Sequence, residues 1–250
     1  MSNQYNLGVV SVSFRKHTPT EILEAMREAG LTHIEWGSDV HVPYNDIENV
    51  KAIAELQKAY GITCSSYGTY FYLGRDPIEE LPGYIEAAKI LGTNILRLWC
   101  GNKTPDKMTE PEKDEFIDTC RKAAAIAEER GAIFCMECHP HSYTERLEDA
   151  LQLMDAVNSE SFRMYWQRWG AAGEEVNLEY AEKIAPYTYH IHAHFTKGDQ
   201  PVSIHEGIKE WKDYLTKFTT PRTLLLEFMP DRLITSLKRE ADALRIVTAE

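Results

Sequence analysis

One pattern recurs down the first half of the chain and limits what it can fold into: a helix-like segment, a glycine, then a short apolar strand. It reads Glu21 to Ala29, Gly30, then Leu31 to Trp36; Val50 to Tyr60, Gly61, then Ile62 to Tyr67; Tyr84 to Leu91, Gly92, then Thr93 to Trp99; and Phe116 to Arg130, Gly131, then Ala132 to Cys138. Each glycine falls where a helix ends in the left-handed conformation that side chains resist. Repetition of one such unit predicts stacked βα units around a shared sheet. Thr18-Pro19-Thr20-Glu21 joins a capping box to a proline at the first helical position, and Thr109-Glu110-Pro111-Glu112 gives a second box. Apolar stripes at helical spacing, such as Ile22, Met26, Ala29 and Phe116, Cys120, Ala123, Ala127, predict helices lying one-sided on that sheet.

The second half keeps the alternation. Thr144 to Val157 reads as a helix, Phe162 to Trp166 as a strand, the region of Leu178 to Ile184 as a helix and Tyr187 to Phe195 as a strand. Glu206 to Phe218 is then a helix, Thr223 to Phe228 a strand, and a last helix carries Leu233, Leu237, Ala241, Leu244 and Val247. With Leu7 to Val12 as the first strand, the count is eight strands, each followed by a helix. That predicts an α/β protein of the (β/α)8 TIM-barrel type, one domain spanning residues 1–250, with its site at the C-terminal ends of the strands. An open doubly wound sheet is the competitor, but no Gly-x-Gly-x-x-Gly turn follows the first strand.

Charge narrows the function. With 27 basic against 39 acidic residues and a formal charge of -12, the surface repels polyphosphate and offers no basic stripe for nucleic acid. A small-molecule carbohydrate substrate suits it better. Met1 to Asn6 has neither a basic nor an apolar leader, and no run approaches membrane-spanning length, so a cytoplasmic protein is expected, with a homo-oligomer left open. Five scattered cysteines, Cys64, Cys100, Cys120, Cys135 and Cys138, read as reduced thiols. Cys135 and Cys138 are three apart on a strand, so they face opposite sides and make no zinc knuckle.

The predicted strand ends are polar again and again. Ile133 to Glu137 is a strand whose alternation turns Cys135, Glu137 and His139 one way and Phe134, Met136 and Cys138 the other. A carboxylate there is costly unless paired or bound to a metal. Around the ring come Ser13-Phe14-Arg15; Glu35-Trp36 with His41; Tyr67-Gly68-Thr69-Tyr70; Arg97 and Trp99; Glu137 and His139; Tyr165 and Gln167; His190, His192 and His194; and Glu227. Each has a structural explanation by itself: a strand histidine is commonly a hydrogen-bonded core group, Trp36 and Trp99 can simply pack, and Glu137 can be held by a neighbouring base. Converging on one mouth, two glutamates, several imidazoles and a glutamine form a ligand set for a divalent cation such as Mn²⁺, Mg²⁺, Co²⁺ or Zn²⁺. Aromatic rings beside it suit the C–H faces of a sugar. Thr196 to Pro201 reads as a polar loop, either a mobile lid or an ordinary surface turn.

Ile34-Glu35-Trp36-Gly37, Leu96-Arg97-Leu98-Trp99-Cys100-Gly101, Glu137-Cys138-His139, Tyr165-Trp166-Gln167, Ile191-His192 and Leu226-Glu227-Phe228 together resemble the sugar phosphate isomerase/epimerase superfamily, the xylose isomerase-like TIM barrels, over nearly the whole chain. The resemblance implies a metal-dependent isomerase or epimerase for a small sugar, sugar acid or sugar phosphate, working through an enediolate. A dehydratase of the inosose type and a non-catalytic polyol-binding barrel are the alternatives. It implies Glu137, His192 and Glu227 as metal ligands, with Gln167 where the family carries an Asp followed three residues later by His. It also implies Glu137 and Glu227 as base and acid. His139, His41, Arg97 and His194 are then candidates for gripping substrate, with Trp36, Trp99 and Tyr67 as walls, while Arg97 could instead neutralise Glu35.

Overall fold

The computed structural model describes residues 5–218 and 223–249. Met1 to Gln4, read above as part of the N-terminal segment, lie outside the described residues. Eight parallel strands close into a barrel in the order β1, β10, β7, β6, β5, β4, β3, β2. They are β1 (Asn6–Val10), β2 (His33–Gly37), β3 (Thr63–Tyr72), β4 (Ile95–Trp99), β5 (Ile133–Glu137), β6 (Phe162–Gln167), β7 (Thr188–Ala193) and β10 (Thr223–Leu226). Around them run α1 (Pro19–Ala29), α2 (Ile47–Ala59), α3 (Leu81–Leu91), α4 (Glu110–Glu129), α5 (Leu147–Val157), α6 (Glu174–Ile184), α7 (Ile208–Leu215) and α8 (Leu237–Thr248). Among the described residues no helix is long and apolar enough to cross a membrane.

Local chemistry accounts for these elements. Thr18 and Thr109 both cap their helices through reciprocal bonds with Glu21 and Glu112, as the two boxes predict. The four punctuating glycines all have positive φ, from 64° to 86°. Strand alternation builds two apolar layers: Val10, Val12, Cys135, Tyr165 and Leu225 fill the barrel, while Phe134, Met136 and Trp166 pack outward against the helices.

Three readings need correction. The strand expected to run to Phe195 ends at Ala193, and the expected loop beyond it is a hairpin of β8 (Phe195–Lys197) and β9 (Gln200–Val202), turned at Gly198 with φ 57°. Helix α5 starts at Leu147 rather than Thr144, because the Thr144 hydroxyl is used to donate to the Glu137 carbonyl, and α6 starts earlier, at Glu174. The third concerns β3. Ile34 pairs with Cys64 but Glu35 pairs with Ser66, so Ser65 is an extra residue, a bulge that reverses the alternation beyond it. Ser66 and Gly68 therefore face the barrel interior, and Tyr67 faces the helices.

The barrel's tight closure makes a prediction about glycine. A Cβ on Gly8 would lie 2.2 Å from the His33 carbonyl oxygen on the paired strand, whereas a Cβ on Gly61 meets open space. Gly61→Ala should cost about 1 kcal/mol, the left-handed φ alone, and Gly8→Ala at least about 2 kcal/mol, because the strands must part. Urea unfolding of both variants checks this; equal losses would contradict the close approach.

Candidate metal centre

The β5 and β7 strands and the residue just past β10 bring Glu137, His192 and Glu227 together at the C-terminal mouth, all buried. One ligand atom from each lies within 4.8 Å of the others. His192 Nδ1 is 3.3 Å from Glu137 Oε1 and 3.4 Å from Glu227 Oε2, yet it is aligned with neither for a regular hydrogen bond. A buried imidazole nitrogen without a donor partner, facing two carboxylate oxygens, is the donor set that divalent zinc or manganese prefers. Three protein ligands leave coordination positions open toward a cleft of about 370 Å³ lined by Arg97, Trp99, His139, Gln167 and His194 together with both glutamates. The residues present therefore fit a catalytic divalent cation.

Beneath this group the barrel is polar. Glu35 is fully buried; its Oε1 accepts from Arg97 Nε at 3.0 Å and its Oε2 from Ser66 Oγ at 2.9 Å. Arg97 Nη1 donates to Glu137 Oε2 at 2.7 Å. Burial alone raises the Glu35 carboxyl, but the charges of His192 and Arg97 outweigh it and hold it well below the usual carboxylate range. Burial likewise opposes ionisation of Glu137, and Arg97 followed by His192 reverses the outcome. For His192, burial favours the neutral ring, yet the Glu227 and Glu35 charges lift its pKa well above the ordinary value.

The sequence-predicted residues divide in two. Trp99 and His139 stack at 4.9 Å between ring centroids and, with His194, border the cleft. Trp36, Tyr67 and His41 do not reach it. The alternation that turns Glu35 inward turns Trp36 outward, where its indole donates to Gln57 Oε1 at 2.7 Å under α2. Tyr67, reversed by the β3 bulge, donates to the Val42 carbonyl at 2.5 Å. His41 is held between Ser11 Oγ and the His17 carbonyl, each 3.1 Å away. Arg97 borders the cleft, but two of its nitrogens are engaged by Glu35 and Glu137, so it neutralises carboxylates rather than standing free for substrate. Gln167 also differs from its expected use as a ligand. Its Nε2 lies 2.8 Å from the Cys138 carbonyl, which can only accept, and 3.3 Å from Glu137 Oε1. The amide nitrogen thus faces the glutamate and steadies it.

Three mouth residues, Arg15, Tyr70 and Phe228, are named in the sequence reading but given no role. Tyr70, turned in after the bulge, receives a hydrogen bond from Arg15, whose Nε also pairs with Asp39. Phe228, directly after Glu227, has φ 54°, an uncommon conformation for an aromatic residue, and its N–H donates to Ser13 Oγ at 2.9 Å. That bond between the segments that follow the first and last strands fixes the backbone carrying Glu227. Only the Ser13-Phe14-Arg15 segment hinted at it.

The charge balance sets a pH dependence for chelator-treated protein. Glu35 and Glu137, with lowered folded pKa, contribute stability above the unfolded carboxyl value of about 4.3, and lose it as the pH falls through their folded values. His192, with a raised folded pKa, contributes fully below its unfolded value of about 6.5 and loses its contribution as the pH rises through the folded one. The melting temperature should therefore decline on both the acid and the alkaline side, and the affinity for Zn²⁺ should rise with pH until His192 deprotonates, about tenfold per unit. Calorimetric titration at several pH values tests this; an affinity independent of pH would remove His192 from the site.

Comparison with known proteins agrees with the fold. Residues 23–247 match the family model for the xylose isomerase-like TIM barrel. The chain is 20% identical over 199 residues to a 3-dehydroshikimate dehydratase of Bacillus anthracis, covering 76% of this chain and 70% of that protein. It superposes with a TM-score of 0.77 on the structure of the probable 3-DHS dehydratase AsbF from Bacillus anthracis, at 18% identity over 96% of this chain and 98% of the other. It superposes at 0.79 on the IOLI protein with a bound zinc atom, at 19% identity over 97% and 98%. A closed eightfold barrel with this match over most of its length places the chain in the xylose isomerase-like TIM barrel family.

Proposed function

We propose that the protein is a metal-dependent isomerase or epimerase that moves a proton beside the carbonyl of a small sugar or sugar acid, with Glu227 as the base. The carrying observation is an asymmetry between the two glutamates. Glu137 is tied to Arg97 at 2.7 Å, to Gln167 at 3.3 Å and to His192. The only ion pair of the Glu227 carboxylate among the described residues is with His192, at 3.4 Å, and the carboxylate borders the cleft. A carboxylate already neutralised by an arginine is a poor base but a good anchor. One base suffices to carry a proton between adjacent carbons, so aldose–ketose isomerisation fits this arrangement better than a two-base epimerisation.

A divalent cation held by Glu137, His192 and Glu227 would supply positive charge where the substrate oxygen turns anionic. The chain itself supplies the rest. Trp99 stacked on His139 forms a flat wall for the C–H face of a sugar ring, and Tyr70 closes the side next to it. Glu227 takes a proton from the hydroxyl-bearing carbon next to the carbonyl and the electron pair moves onto the carbonyl oxygen; the hydroxyl proton passes to that oxygen as the hydroxyl becomes the new carbonyl, and Glu227 returns its proton to the former carbonyl carbon. The five cysteines, all buried and free, suit a reducing compartment, and we place the protein in the cytoplasm.

Dehydration is a second reading, favoured by the similarity to the 3-dehydroshikimate dehydratase. The first step is the same. A hydroxyl on the next carbon then leaves as water, protonated by His139 at the cleft edge, in place of proton return.

A panel of ketoses, aldoses and sugar acids followed by NMR in D₂O distinguishes them. Deuterium incorporation without change of composition supports isomerisation, and loss of water supports dehydration. Glu227→Gln, assayed at metal concentrations that keep the site filled although a carboxylate ligand is lost, should lower turnover about a hundred- to ten-thousand-fold, whereas Glu137→Gln, which keeps Glu227, should regain activity as the metal concentration is raised. Retained turnover in Glu227→Gln would exclude that residue as the base.

A further inference from the structure

Four side chains under the mouth close a ring. Glu35 Oε1 accepts from Arg97 Nε at 3.0 Å, Arg97 Nη1 donates to Glu137 Oε2 at 2.7 Å, Glu137 Oε1 lies 3.3 Å from His192 Nδ1, and His192 Nε2 lies 3.5 Å from Glu35 Oε2. From this geometry we infer that Glu35 is the positioning residue of the metal centre: it sets the ring orientation of His192 directly, and the orientation of Glu137 through Arg97. The inference rests on the metal-dependent reading above.

Glu35 faces the wrong side of the imidazole to be a ligand. Its carboxylate meets Nε2, while the two other glutamates converge on Nδ1. A ligand histidine whose second nitrogen donates to a carboxylate is held in one tautomer and one orientation, and that partner commonly changes metal affinity 10–100-fold. Through Arg97 the same carboxylate reaches Glu137: the guanidinium occupies Oε2 and leaves Oε1 for the cation. Two ligands from β5 and β7, with β6 between them, are thus fixed relative to each other by one buried acid from β2.

The surroundings are shaped to keep Glu35 there. The β3 bulge turns Ser66 inward to donate to Glu35 Oε2 at 2.9 Å. It turns Gly68 inward too, and a Cβ on that residue would sit 2.5 Å from Glu35 Oε1 and 3.1 Å from an Arg97 nitrogen. The ring of Tyr165 meets His192 edge-on at 5.1 Å. A simple ion pair in a barrel core would need Arg97 and one acid. The contact to His192 and the glycine clearance serve the orientation of the imidazole.

Metal-free wild type, Glu35→Gln, Glu35→Asp and Gly68→Ala are titrated with Zn²⁺ by calorimetry and with Co²⁺ by absorption spectroscopy. Circular dichroism and melting curves establish folding. Glu35→Gln should bind Zn²⁺ 10–100-fold more weakly than wild type with an altered Co²⁺ spectrum, and Glu35→Asp should recover part of the affinity. Gly68→Ala, which keeps the carboxylate but displaces it, should weaken binding about tenfold and gives the answer should Glu35→Gln fail to fold. Folded variants that bind within twofold of wild type with an unchanged spectrum would overturn the role of Glu35 while leaving the metal-dependent reading intact. A wild type that binds no divalent cation would overturn both.

Discussion

The cost of burying ionised groups governs the interior of this barrel. Glu35, Arg97, Glu137 and His192 are almost withdrawn from water, and a lone charge so placed is too costly to persist. Each survives because it touches an opposite or polar partner in the same cluster. An all-apolar filling, as in the lower layers built from Val10, Cys135 and Leu225, would be cheaper for stability. Charge concentrated at the C-terminal end, where the βα loops open to solvent, gives up that advantage at the level where a barrel presents its chemistry.

The glutamates are chemically alike and structurally unequal. Glu137 carries an arginine, an amide and an imidazole around its oxygens; among the described residues the only ion pair of Glu227 is with the imidazole. The unequal partners are what the proposed division between anchor and base rests on, and Gln167 belongs to the same asymmetry. Where an aspartate would bring another charge to the mouth, an amide held by the Cys138 carbonyl instead lends its nitrogen to Glu137. The backbone supports the same asymmetry. Glu227 precedes Phe228, whose left-handed conformation is pinned by Ser13 across the closure between β10 and β1, whereas Glu137 ends a regular strand with its carbonyl capped by Thr144.

Much of the fold could be read from the chain because helix caps, left-handed glycines and apolar periodicity are local signals. The capping boxes at Thr18 and Thr109, the glycine stops at Gly30, Gly61, Gly92 and Gly131, and the alternating faces of β5 depend only on neighbours along the sequence, and they found the eight strands and helices. The same alternation, applied to Glu137, His192 and Glu227, brings those three residues to one mouth once the barrel is closed.

Tertiary structure decided the rest. Whether Tyr67 or Ser66 faces the site depends on the bulge at Ser65, and a bulge is a property of the pairing between two strands rather than of either sequence. Whether Arg97 meets substrate or carboxylates depends on Glu35 from β2 and Glu137 from β5 reaching it together, and whether Gln167 offers oxygen or nitrogen depends on a carbonyl 29 residues away in sequence. The sequence by itself determined the units and the residues able to bear charge. Closure of the barrel determined which of those charges meet, because the energy of a buried charge is set by its distance to partners that the chain brings in from other strands.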